Sequence, residues 1–119
     1  MALVAKTRRV GNVDVIDLSG KITLGENTGI LRDEIRSLLA QGQKSILLNM
    51  GAVSYVDSAG LGELVGAYTT ATNQGGAVKL LNLQTKMKDL LQVTKLHTIF
   101  PVFEDEKAAI ASFGQAATA

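Results

Sequence analysis

The sequence predicts an α/β fold: a single domain on a mixed, mainly parallel sheet of four to five strands with four helices, in the order β-β-α-β-α-β-α-β-α. Three observations carry this. The chain has 119 residues, which fits one domain spanning residues 1–119. Apolar residues make up 46%, enough for a compact core. Short apolar or alternating runs recur between longer stretches whose apolar residues fall at helical spacing, and strands that alternate with helices build a parallel sheet.

The first two runs read as strands. Ala2–Arg9 carries Leu3 and Val4, and Gly11-Asn12 makes a turn. Val13–Ser19 then alternates apolar and polar residues, and Gly20 ends it. A short turn between them makes an antiparallel edge. The first helix opens at Thr23-Leu24-Gly25-Glu26, which has capping-box spacing. Its apolar stripe is Leu24, Leu31, Ile35, Leu38 and Leu39, with Arg32 and Arg36 off the stripe. Gly42 falls where a left-handed terminating residue belongs.

Ser45–Met50 is a continuous apolar run, as expected of a strand covered on both faces. Gly51–Asp57 reads as a loop into a second helix, Ser58 to Gln74, with Leu61, Leu64, Val65 and Tyr68 as its stripe. Gly75-Gly76 stops that helix, and Ala77–Leu81 is the next strand. Gln84–Gln92 is a third helix, Ile99–Phe103 a last short strand. Glu104-Asp105-Glu106 opens the fourth helix, with negative charge against its positive dipole end. That helix is expected to bury Ile110 and Phe113, leaving residues 114–119 as a frayed tail.

Composition narrows the function. Twelve basic and eleven acidic side chains give a net charge of +1, so there is no basic stripe for nucleic acid. With no cysteine and one histidine, disulfides and His/Cys metal sites are ruled out, and no cofactor is expected. His97 has no partner acid or nucleophile nearby and reads as a structural or surface residue. Phosphate-loop and dinucleotide spacings are absent. Nothing in the sequence reads as a signal peptide or a membrane span, so a cytoplasmic protein is expected.

One segment remains, Tyr55-Val56-Asp57-Ser58-Ala59-Gly60-Leu61-Gly62. Its serine sits where a loop after a strand enters a helix, the end of an open α/β sheet where ligand sites gather. Read blandly, Asp57 or Ser58 is simply the N-cap. Gly60, Gly62 and Gly66 all fall within the helix, each costing roughly 1 kcal/mol against alanine, so close approach of another surface is expected there. Ser58, Gly62 and Gly66, spaced four apart, form one smooth stripe. Either it packs on the sheet or a neighbouring helix, or its exposed part is a docking surface headed by Ser58.

These residues resemble the signature of the STAS domain (sulfate transporter and anti-sigma-factor antagonist), an aromatic or aliphatic pair followed by D-S-S-G-L-G. Leu18-Ser19-Gly20-Lys21-Ile22 resembles that family's L-x-G-x-[LI] strand end, and Leu31-Arg32 its first-helix L-R. Ile46-Leu47-Leu48-Asn49 and Leu80-Leu81-Asn82 resemble the strands on either side of the signature. The resemblance implies a partner switch, not an enzyme. The unmodified protein binds an anti-sigma factor that is also a serine kinase, releasing a sigma factor. That kinase phosphorylates the first signature serine, here Ser58, and a serine phosphatase reverses it. Asp57, Ser58, Ala59, Gly60, Leu61, Gly62, Gly66 and Thr23 are then expected at the partner surface of a monomer or weak dimer. Ala59 replaces the second signature serine, leaving Ser58 as the available hydroxyl. Thr23 stands where many members carry an acid. STAS-like chains also serve as accessory subunits of transporter ATPases, a reading that the retained serine disfavours.

Overall fold

Five strands form one sheet in the order β1-β2-β3-β4-β5: β1 (Val4–Val10), β2 (Val13–Ile22), β3 (Ser45–Val56), β4 (Ala77–Leu81) and β5 (Val102–Phe103). The helices are α1 (Ile30–Ala40), α2 (Ser58–Asn73), α3 (Thr85–Val93) and α4 (Glu106–Thr118). The computed structural model describes residues 3–23 and 29–118. The hairpin of β1 and β2 is antiparallel, and every other pairing is parallel. The predicted fold class and element order are those observed.

Strand periodicity sorts the core into two layers, because alternate side chains leave opposite faces of a sheet. Ile16 and Leu18 of β2, Ile46, Leu48 and Met50 of β3, and Val78 and Leu80 of β4 pack with helices α1, α2 and α3. Val13, Val15, Leu47 and Leu81 point the other way, against Ala109 and Phe113 of α4. The run Ser45–Met50 is continuously apolar because both of its faces are covered. Asp14, buried on this sheet, is paired with Arg9 at 2.9 Å.

Several boundaries differ from the sequence-based expectation. Gly20 does not end β2: with φ of 101° it sits within a register irregularity against β3, and pairing resumes through Lys21–Tyr55 and Ile22–Val56. Gly51–Val56 is strand, not loop. Past Asn49 the pairing with β4 ends while that with β2 continues, so this half of β3 is more exposed and loses the apolar run that marks a covered strand.

Thr23 does not cap α1. That helix starts at Ile30 behind Gly29, which has φ of 97° and makes no side-chain cap bond. Leu24 and Glu26 of the expected capping box lie outside the described residues. The last strand is confined to Val102–Phe103. Phe100, expected in it, instead fills the core and meets Tyr68 edge to face at 5.4 Å. The helix assignment of α4 extends to Thr118. The three acids at the start of α4 diverge: Glu104 pairs with Lys88, Asp105 accepts the Ala108 N–H, and Glu106, the first residue of the helix, pairs with Arg8.

Candidate functional site

The site forms where β3 ends and α2 begins. Asp57 is the N-cap of α2, with extended backbone (φ −93°, ψ −175°), and its Oδ1 accepts the Gly60 N–H at 2.7 Å. That bond satisfies one of the unpaired donors at a helix start. The capping alternative therefore belongs to Asp57, and Ser58, freed from it, is the first helical residue and exposed.

The end of β2 fixes this turn from the side. The Ile22 carbonyl accepts the Asp57 N–H at 3.3 Å. It also lies directly against Gly60, where an added Cβ would stand 1.8 Å from the Ile22 oxygen. Gly60, expected at the partner surface, is a buried packing position within the chain. Close approach explains this glycine and not the other two. Among the described residues, a Cβ at Gly62 or Gly66 would meet nothing within 4 Å, Gly62 being exposed and Gly66 half-buried. What remains is a smooth strip of α2 surface running from Ser58. Ala59 and Leu61 flank it half-buried, Leu61 leaning on the core. Thr23, half-buried, comes one residue after the Ile22–Val56 pair, so it borders the turn.

Sequence reasoning missed Glu63. Only 5% exposed, it accepts the Gly29 N–H at 2.9 Å and the Arg32 guanidinium at 2.5 Å. It ties the start of α1 to α2 beside the glycine strip. The signal was present as a lone acid in a helix of small and apolar residues, but its two partners lie over thirty positions away. His97 is exposed, its Nδ1 3.3 Å from the Leu91 carbonyl, and it is not part of this site. Among the described residues, no group of three His, Cys, Asp or Glu could hold a metal ion. No described helix is long and apolar enough to cross a membrane.

Taken together, the fold and site define a small α/β domain that presents the exposed Ser58 at a capped helix start, beside the end of its parallel sheet. The family model for the STAS domain matches residues 5–109, and the chain belongs to that family. It is 32% identical over 99 residues to the anti-sigma-B factor antagonist of Bacillus subtilis strain 168, covering 76% of this chain and 89% of that one. Solved structures share the fold. An anti-sigma factor antagonist from Mycobacterium paratuberculosis superposes with a TM-score of 0.81 at 19% identity, covering 93% of both chains. The Bacillus cell fate determinant SpoIIAA in its phosphorylated form gives 0.72 at 24% identity, covering 92% of this chain and 99% of that one.

Proposed function

We propose that this protein is an anti-sigma-factor antagonist switched by phosphorylation of Ser58. Unmodified, it binds an anti-sigma factor with serine kinase activity and releases a sigma factor. Phosphorylated, it lets go, and a serine phosphatase restores it. The observation that carries the reading is the exposed Ser58 at the first position of α2, behind the Asp57 cap and followed by Gly62 and Gly66, whose Cβ positions meet none of the described residues within 4 Å.

The chemistry follows from the position. A phosphate on Ser58 adds about −1.5 to −2 charges and three strong acceptors. At a helix N-terminus that charge is locally favourable, so α2 stays folded. The effect falls on the partner. Asp57 adjoins the modified residue, so about three negative charges gather where a neutral hydroxyl had been. Like charges facing each other across an interface cost several kcal/mol, and about 2.8 kcal/mol already weakens binding a hundredfold.

The test is titration of the anti-sigma factor, recovered by co-purification from the native cell, against three forms of the chain, with circular dichroism alongside. Ser58→Ala binds constitutively and takes no phosphate. Ser58→Asp binds at least tenfold more weakly with its fold intact. Stoichiometric phosphorylation of Ser58→Ala, or parent-like binding by Ser58→Asp, refutes the assignment.

A further inference from the structure

A cleft of ≈ 210 Å³ lies along the flank of β3 that β4 leaves uncovered beyond Asn49, closed on its other side by α3. Its floor is Met50, Val53 and Met87, and Val56 and Leu90 form its walls. Two polar side chains at the edge are already engaged: Ser54 Oγ donates to the Gly20 carbonyl at 3.2 Å, and Gln84 Nε2 donates to the Gly51 carbonyl at 3.1 Å. Lys86, also on the rim, is exposed and enters no ion pair among the described residues. Its neighbour Lys88 is held by Glu104 at 3.0 Å. An apolar hold with a single available cation at its mouth suits a ligand with an apolar tail and an anionic head. Two methionines in the floor let it adapt to an unbranched chain.

We propose that this cleft binds a straight-chain monocarboxylate of about eight carbons, its tail among Met50, Val53, Met87 and Leu90 and its carboxylate at Lys86. Tyr55 and Val56 on the cleft's edge lead directly into the Asp57 cap, so the bound ligand sits against the start of α2. Binding itself does not depend on whether Ser58 is phosphorylated.

The experiment is a methyl-resolved NMR titration of the full chain with hexanoate, octanoate and octanol. Saturable shifts are expected at the methyls of Met50, Val53, Val56, Met87 and Leu90. Each added methylene tightens binding about fourfold, so octanoate exceeds hexanoate by roughly sixteenfold. Lys86→Gln, a surface change that leaves the fold alone, weakens octanoate about threefold and leaves octanol unaffected, as a solvent-exposed charge pair requires. Shifts that do not saturate, that scatter over the surface, or that ignore chain length overturn the proposal. Equal effects of Lys86→Gln on octanoate and octanol overturn it as well. So does saturation by N-acetyl-Leu-Leu-Glu where octanoate fails, which would make the occupant a protein segment.

Discussion

Replacing Gly60 by alanine should destabilise this protein although alanine is the better helix former. The added methyl would stand 1.8 Å from the Ile22 carbonyl oxygen and 2.7 Å from its carbon, where ordinary contact begins at 3.4 Å. Both are backbone atoms, so no rotamer change relieves the clash; β2 and α2 must separate by more than an ångström. Forced overpacking of this kind costs about 1–3 kcal/mol. Separation also breaks the 3.3 Å Asp57 N–H bond to Ile22 and disturbs the 2.7 Å cap on Gly60, a further loss of about 1 kcal/mol. Against this, alanine returns roughly 1 kcal/mol of helix propensity. The net expectation is a loss of about 1–3 kcal/mol, or roughly 4–12 °C in Tm for a domain of this size. Gly62→Ala and Gly66→Ala face open space and should raise stability by up to about 1 kcal/mol each. Thermal and urea melts of the three single variants decide the matter. A Gly60→Ala protein melting within about 2 °C of the parent, or a Gly62→Ala protein falling as far as Gly60→Ala, refutes the close-approach argument.

Other outcomes follow from the same geometry. Gly62→Leu and Gly66→Leu should melt no lower than the parent yet lose at least about tenfold in affinity for the anti-sigma factor, read by calorimetry. Glu63→Ala, which leaves the Gly29 N–H and Arg32 without their acceptor, should cost about 2 kcal/mol in urea melts, and Glu63→Gln about half that, because it still accepts from Gly29. Arg8 bridges Asp17 at 2.7 Å and Glu106 at 2.5 Å, and its hydrogen bonds hold both carboxyls below the usual carboxylate range. Groups depressed in the folded state stabilise it above their unfolded pKa, and that contribution is lost as pH falls through the folded pKa. Stability should therefore decline below about pH 4.5, and Arg8→Met should flatten that decline. Both pairs are partly exposed, so the effect is small and shrinks further in high salt; a pH series of urea midpoints for parent and variant checks it.

The element order was legible because it is written in short-range spacing. Alternation in β2, the covered run at the start of β3 and the helical stripe of α1 each repeat within a few residues. The position of Ser58 after a strand and at a helix start likewise pointed to an exposed hydroxyl, while the choice between Asp57 and Ser58 as the cap was made only by the structure. What the sequence left open depended on segments distant along the chain. Gly60, Gly62 and Gly66 carry the same local cost, and only the arrival of the Ile22 carbonyl makes the first a packing requirement, while no described residue comes within 4 Å of a Cβ at the other two. Gly51–Val56 looked like a loop because a strand paired along one edge loses the apolar pattern that coverage imposes. Thr23 and Glu26 have the spacing of a cap, yet α1 begins at Ile30, with Gly29 held by Glu63 from another helix. Local periodicity specifies which residues can form an element. Which carbonyl, carboxylate or open flank comes to lie beside it is decided by packing between elements, and at this site that packing separates Gly60, pressed against a carbonyl, from Gly62, left exposed.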